Sequence, residues 1–312
     1  MRNDLPYFVE LLSEIAMQTR YTAHECLEEV LPTIRMAQKA LLARPKELAL
    51  NSAHSLAFHR GLGAPLHPTS SASLSKYLHE DSIADFAEAA YAKSNIAFVA
   101  NGAEHSELNK WVGEFLAEAP ESVPRSAPKL QSAPSRYYGG EERIAHESGN
   151  AMVIAFPGSS SFTASSTYKP EYAVLAALLG GQSSVKWSAG FSLLGKGASK
   201  YPGAKVVTTN HAYSDAGLLS IQISGQVGDV RSTGEEVVRV LKSVAAGEVS
   251  KEDVKKAVAL AKFRALEAGQ EIAAGLELTG AGLIQQGKAY QMDEVARGMD
   301  GVSGDQLKRV SK

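Results

Sequence analysis

Apolar residues recur at helical spacing in two blocks, one near each end of the chain. In the first block this spacing predicts four helices, over residues 4–17, 22–43, 45–59 and 82–91. Pro32 is predicted to interrupt or restart the second helix, because its ring breaks the hydrogen-bond ladder. Ser82 is a predicted N-cap of the fourth helix.

The second block repeats this rhythm near the C-terminus. Four helices are predicted there, over residues 230–246, 250–268, 270–287 and 303–312. Ser250 opens the second of them in a sequence that resembles a capping box, and Ser303 caps the fourth.

The two blocks are offset by a nearly constant 221–227 residues. A constant offset over several elements predicts an internal duplication, although any helix-rich chain can show a similar rhythm by chance. We therefore predict two homologous domains, over residues 1–119 and 137–312. Residues 120–136 are rich in Pro and Ser and form the predicted linker.

Strand patterns make the predicted fold class α+β, with a mixed β-sheet covered by helices in each domain. Strands are predicted over residues 95–101, 140–147, 151–156, 205–213 and 218–224, with a hairpin between the last two. Helices are predicted over residues 104–116 and, after Pro170, over 171–179.

The repeat is incomplete at both ends. A lead-in of 92 residues (137–228) precedes the second block, whereas three residues precede the first. We therefore expect the first domain to lack its first strands and the second domain to lack its last strand and helix. The chain then resembles the middle of a longer protein.

The composition argues against several classes of protein. The formal net charge is −2, so no basic surplus favours binding to nucleic acid. A single cysteine, Cys26, cannot form a disulfide within the chain. The longest nearly apolar stretch, residues 172–179, is far shorter than the ~20 residues of a membrane span.

No motif predicts catalytic chemistry. None of the eight histidines forms H-E-x-x-H or its inverse, and His54 and His59 lie about 140° apart on a helix, which suits no two-ligand zinc face. The glycine-rich residues 180–197 lack the phosphate-loop spacing and predict a mobile surface loop. None of three candidate nucleophiles sits in G-x-S-x-G: Ser161, Ser183 and Ser188.

Four segments carry a resemblance to a known superfamily. They are residues 4–12 (DLPYFVELL), 54–66 (HSLAFHRGLGAPL), 186–192 (KWSAGFS) and 213–218 (YSDAGL). Together they resemble the pitrilysin-like metallopeptidases, and within them the core subunits of mitochondrial ubiquinol–cytochrome c reductase, of the fungal type. The resemblance covers nearly the whole chain and implies two homologous α+β domains joined by a linker.

The resemblance also implies that the chain is not an enzyme. Active relatives carry H-x-x-E-H, in a region that would lie before Met1, and a further glutamate downstream. That glutamate should fall near residues 37–40, which read Ala37, Gln38, Lys39 and Ala40 and contain no carboxylate. No catalytic, cofactor-binding or metal-binding residue is therefore expected, and no cofactor.

The glycine-rich residues 180–197 line up with a loop of the non-catalytic subunit of mitochondrial processing peptidase. Here the glycines are interrupted by other residues, namely Gln182, Val185, Lys186 and Trp187. Presequence handling by this loop is therefore in doubt.

The resemblance implies a structural subunit, peripheral on the matrix side of the mitochondrial inner membrane. The expected partners are other subunits of the respiratory complex, notably a core protein 1 homologue, in a dimeric assembly. The chain is expected to have no membrane span of its own and no nucleic-acid partner. Two alternatives remain: a processing-peptidase subunit that binds or cleaves presequences, and a stand-alone zinc peptidase, which Ala37 and Ala40 argue against.

Overall fold

A computed structural model describes residues 4–65, 78–123, 134–164, 167–181, 190–287 and 289–311. The chain divides into two compact units. The first comprises Met1–Lys39, His67–Ser132 and Ile272–Ala289, and the second comprises Ala40–Leu66, Ala133–Glu271 and Tyr290–Lys312. These units interleave along the chain and do not follow boundaries at 119 and 137. The assignment of two homologous domains stays a prediction.

The described residues contain helices and one small sheet. The helices are α1 (Leu5–Met17), α2 (Ala23–Glu25), α3 (Leu31–Leu42), α4 (Pro45–Phe58), α5 (Glu80–Ala90), α6 (His105–Phe115), α7 (Pro170–Leu179), α8 (Leu193–Ala198), α9 (Val227–Ala246), α10 (Lys251–Gln270), α11 (Ile272–Gln286), α12 (Met292–Asp300) and α13 (Gly304–Val310). The strands are β1 (Asn150–Pro157), β2 (Ala204–Ala212) and β3 (Gly217–Gly225). The α+β fold class is thereby confirmed.

The predicted helices form in both blocks, and their starts keep a nearly constant offset. Helices of the second block begin 222–228 residues after their counterparts, with Val227 against Leu5, Lys251 against Ala23, Ile272 against Pro45 and Gly304 against Glu80. Two of the predicted caps are present. Asp253 N donates to Ser250 Oγ at 3.0 Å, and Ser303 forms a capping box with Gln306.

Pro32 disturbs the second helix without ending it. A π-helical turn, Cys26–Val30, joins α2 to α3, and Leu31 N donates to Cys26 O, five residues back. Pro32 has no N–H and its ring crowds the preceding turn, so the wider turn relieves the clash. Thr33 Oγ1 donates to the carbonyl of Glu29 at 2.8 Å.

The strands form an antiparallel sheet in the second unit, in the order β1-β3-β2. Ile221 in the centre of β3 lies opposite Ile154 of β1 and Thr208 of β2. In β2, buried Val206 alternates with exposed Lys205 and Val207, as a strand with one covered face requires. The strand predictions for residues 151–156, 205–213 and 218–224 are confirmed.

Helices bury one face of this sheet in the main core. Fully buried side chains of the second unit include Leu175, Leu178, Leu179, Leu194, Ile221, Ile223, Val237 and Leu307. On β3 a separate cluster joins Leu218 to Ala57 and Phe58 of α4. β3 is therefore buried along most of its length.

Two strand predictions are wrong. In the first unit, Lys93–Asn95 is a short 3-10 turn and residues 96–100 form no ladder. In the second unit, residues 140–147 form no ladder either. A strand needs a partner for its N–H and C=O groups, and among the described residues only β1, β2 and β3 pair with one another.

Local details also differ from the sequence predictions. His79, not Ser82, is the N-cap of α5: Ser82 N donates to His79 Nδ1 at 3.3 Å, and the Ser82 hydroxyl accepts from His79 N at 3.2 Å. Ser82 is thus the third residue of a capping box. α12 was not predicted, although Val295, Ala296 and Met299 are buried in the second unit.

Candidate functional site

The position expected for the downstream zinc ligand lies in α3. Ala37, Gln38, Lys39 and Ala40 occupy consecutive positions of this helix and supply no carboxylate. Among the residues that the structure describes, no group of three or more His, Cys, Asp and Glu side chains is arranged to hold a metal ion. Catalytic zinc needs three protein ligands and an open position, so the described residues do not fit a zinc site.

Two histidines and a tyrosine, distant in sequence, meet in the second unit. His54 on α4 lies with its ring centroid 5.2 Å from that of His211 on β2, in an edge-to-face arrangement. His54 Nε2 is 2.8 Å from Tyr213 Oη, and His54 Nδ1 is 2.9 Å from the carbonyl of Leu50. Because a carbonyl only accepts, Nδ1 carries a proton, and in the tautomer protonated at Nδ1 the Nε2 atom accepts from the Tyr213 hydroxyl. The cluster links α4 to the end of β2.

Burial shifts the pKa values of two members of this cluster, His211 and Tyr213. The pKa of His211 is lowered, first by burial and then by the nearby His54. The pKa of Tyr213 is raised by burial. His211 Nε2 also lies 3.0 Å from Ser220 Oγ. These groups bond one another, so the cluster holds α4 against the hairpin.

Other histidines in the described part of the chain have separate contacts. His146 Nε2 lies 2.7 Å from the carbonyl of Leu42, and the ring of His59 lies 4.7 Å from that of Tyr138. His79 caps α5. His67 lies outside the described residues.

Of the three candidate nucleophiles, the structure describes only Ser161, whose hydroxyl contacts another hydroxyl. Ser161 Oγ and Thr163 Oγ1 lie 2.8 Å apart, next to the buried Ser159 and Ser160 in the same turn. Ser183 and Ser188 lie outside the described residues.

Part of the glycine-rich region that was predicted to be a mobile surface loop is a mostly buried helix. Residues 182–189 are outside the described part, but α8 follows with Leu194, Gly195, Gly197 and Ala198 buried. A Cβ on Gly197 would come within 2.8 Å of Glu236 Oε1 on α9. The glycine therefore allows α8 to approach α9 closely, so this half of the region serves packing.

Comparison with known protein families identifies the family of this chain. The family model described as the peptidase M16 inactive domain matches residues 77–260, more than half of the chain. This chain belongs to the peptidase M16 family. The predicted resemblance to pitrilysin-like peptidases is thereby confirmed, and the matched domain is the inactive one of the family, which makes this a non-catalytic member.

Within the M16 family, the chain is similar to fungal proteins of one kind. It is 46% identical over 312 residues to "Cytochrome b-c1 complex subunit 2, mitochondrial" of Neurospora crassa, covering 100% of this chain and 67% of that protein. It is 34% identical to the protein of the same name from Cryptococcus neoformans, covering 100% of this chain and 68% of the relative.

A solved structure shows the same fold. A chain of "Complex III2 from Candida albicans, Inz-5 bound" superposes with a TM-score of 0.76 at 17% identity, covering 100% of this chain and 74% of that one. At this identity the match establishes the fold. The described part of this chain contains no helix that is both long and apolar enough to cross a membrane.

Sequence reasoning missed the pairing of His54 with His211 and Tyr213. More than 150 residues separate His54 from its partners, and no sequence motif joins them. The sequence held only an indirect indication of this cluster. Two of the segments that carry the family resemblance each contribute one member: YSDAGL contributes Tyr213, and HSLAFHRGLGAPL contributes His54.

Proposed function

We propose that this chain is a non-catalytic core subunit of mitochondrial ubiquinol–cytochrome c reductase, also called the cytochrome b-c1 complex, and supports its assembly and stability. The observation that carries this proposal is the 46% identity over all 312 residues to subunit 2 of the Neurospora complex. Several fungal relatives bear the same name.

A structural role is supported by the absence of peptidase chemistry from the described residues. The family match is to the inactive domain, and α3 has Ala37 and Ala40 where a carboxylate would be needed. The one cluster of histidines found among them, around His54, bonds within the protein. The chain therefore contributes packing surface rather than a reacting group.

The proposed place of the subunit is peripheral, on the matrix side of the inner membrane. Its proposed partners are the other subunits of the complex, notably a core protein 1 homologue, within a dimeric assembly. A partner surface is supported by α1, on which Tyr7, Phe8, Leu12 and Ile15 are 48–61% exposed at helical spacing. An exposed apolar face of this kind is typical of a protein interface.

The proposal is tested by replacing the matched part of the Neurospora subunit 2 with these 312 residues. In a strain that lacks its own subunit 2, we expect the chimera to restore the assembled complex on a native gel, together with ubiquinol–cytochrome c reductase activity. A negative control carries the same 312 residues with Gly217→Ala. A Cβ at this position would lie 2.0 Å from the carbonyl oxygen of Ser159, so this variant should not restore the assembled complex. A well-expressed chimera in mitochondria that still lack the assembled complex would contradict the proposal.

A further inference from the structure

Few buried side chains hold α4 in the second unit. α4 packs against β1 and β3, and two of its 14 residues, Ala57 and Phe58, are buried. Together with Leu218 they form a cluster that is separate from the main core of the unit. A helix with so few buried apolar contacts opens locally at a lower free energy than the core does. Polar contacts therefore make up much of what holds α4 in place.

These polar contacts are concentrated around His54. Both of its ring nitrogens are in use, Nδ1 towards the carbonyl of Leu50 and Nε2 towards the Tyr213 hydroxyl. The ring of His211 faces that of His54, and its own Nε2 atom lies close to the hydroxyl of the fully buried Ser220. A further proton on His54 Nε2 would end the donation by Tyr213, and a charge on His211 would face a second imidazole.

No carboxylate compensates a charge on this histidine pair. Among the hydrogen bonds and ion pairs of the described residues, none joins an Asp or Glu side chain to His54 or His211. Glu142 and Asp215 accept hydrogen bonds from other groups. β1, β3 and the turn Gly61–Gly63, which pack against α4, contain no titratable side chain. The other titratable groups on and around α4 are Lys46, Glu47, His59, Arg60, Tyr137, Tyr138, Glu141, Arg143, His146 and, on β2, Lys205.

Uptake of a proton by His211 favours an open arrangement of α4. Burial first, and then the nearby His54, lower the pKa of His211. The closed arrangement thus resists a proton that an exposed imidazole, with its ordinary pKa of 6.5, accepts. As the pH falls below about 6.5, the open arrangement is therefore stabilised relative to the closed one.

Opening of α4 also affects residues 137–146, which line a cavity together with α4 and β1. Tyr138 N donates to the carbonyl of Ala57 in α4 at 2.8 Å. His146 Nε2 lies 2.7 Å from the carbonyl of Leu42, at the end of α3. The segment forms no ladder with β1, so its contacts with α4 and the end of α3 are what keep it beside the sheet.

We propose that His54, His211 and Tyr213 form an acid-sensitive latch, which holds α4 on the sheet and releases it when a histidine of the pair takes up a proton from solvent. Residues 137–146 are released together with α4. The main core of the unit stays closed, because its buried residues belong to a separate cluster. This device goes beyond the proposed role in the respiratory complex and does not depend on it.

The latch is tested by amide hydrogen exchange of the purified chain, followed by mass spectrometry from about pH 7.5 to about pH 5.5. Each rate is corrected for the pH dependence of exchange in an unfolded peptide. We expect α4 to be less protected than α9 at every pH. Its opening should increase roughly three- to ten-fold over this range, because one proton taken up on opening changes the equilibrium by at most about tenfold per pH unit.

Two variants separate the parts of the latch. His211→Gln should remove most of the increase at low pH. Tyr213→Phe deletes the hydroxyl that bonds His54, so it should raise the opening of α4 roughly two- to ten-fold at about pH 7.5 while the response to pH is kept. The matched control Tyr138→Phe, at a tyrosine that is 54% exposed and lies outside the latch, should leave exchange of α4 unchanged.

Three outcomes would overturn the proposal. Equal protection of α4 and α9 at every pH would show that α4 opens only together with the whole unit. An undiminished response to pH in His211→Gln would show that this histidine pair is not the sensor. Exchange of α4 in Tyr213→Phe as slow as in the parent chain would show that the hydroxyl does not hold the helix.

Discussion

The centre of β3 provides the sharpest test of the described core. Ile221 is completely buried, between Ile154 on one neighbouring strand and Thr208 on the other. Ile221→Ala removes three carbon atoms, a transfer loss of about 2.4 kcal/mol at ~0.8 kcal/mol for each. The cavity left in a closely packed sheet adds to this loss, so we expect a total of about 3–4 kcal/mol. Ile221→Val, which removes one carbon, should cost about 1 kcal/mol.

Amide hydrogen exchange of residues 204–225 measures this loss of stability. These residues belong to the second unit, so the measurement does not require the first unit to unfold. Because about 1.4 kcal/mol corresponds to a factor of ten, Ile221→Ala should speed exchange of these amides by roughly two to three powers of ten. Val207→Ala is the control, since Val207 lies on the neighbouring strand but is 46% exposed. Equal effects of Ile221→Ala and Val207→Ala would refute the assignment of β3 as the buried centre of the sheet.

Three further predictions follow from the site and the helix caps. His211 has a pKa lowered by burial and by His54, so the unfolded chain takes up a proton that the folded chain resists. Stability should therefore fall as pH drops below about 6.5, the ordinary value of a histidine, and His211→Gln should flatten this dependence in thermal unfolding. Ser303→Ala removes the cap that pairs with Gln306 and should cost about 1 kcal/mol in urea unfolding, and a loss below 0.2 kcal/mol would contradict the capping role. Metal analysis of the purified chain should give far less than one zinc per chain, and one tightly held zinc whose removal abolished peptidase activity would contradict a structural role.

Local signals in the sequence were sufficient for most helices and for the hairpin. The spacing of apolar residues predicts α9 and α10, and Ser250 marks the start of α10 through its side-chain cap. The alternation of Leu219, Ile221 and Ile223 with polar residues identifies β3 in the same way. Such features depend on neighbours within a few positions, and a sequence displays them directly.

Features that depend on distant partners were not predictable in this way. Residues 96–100 have a strand-like composition, but a ladder requires a second strand that local composition does not reveal. The contact of His54 with Tyr213 joins residues 159 positions apart. Gly197 looked like part of a loop because a sequence does not show that Glu236 approaches it. In each case the deciding contact comes from another part of the fold.

A structural subunit of the ubiquinol–cytochrome c reductase complex should be purified together with the rest of that complex. The most direct test is affinity purification of the tagged protein from mitochondria of its source, followed by haem difference spectra and quantification of its peptides against those of cytochrome b. We expect co-purified b- and c-type haem and a fixed, near-equimolar ratio of this chain to cytochrome b. Recovery of the protein without haem, in a complex that cleaves presequence peptides, would contradict it.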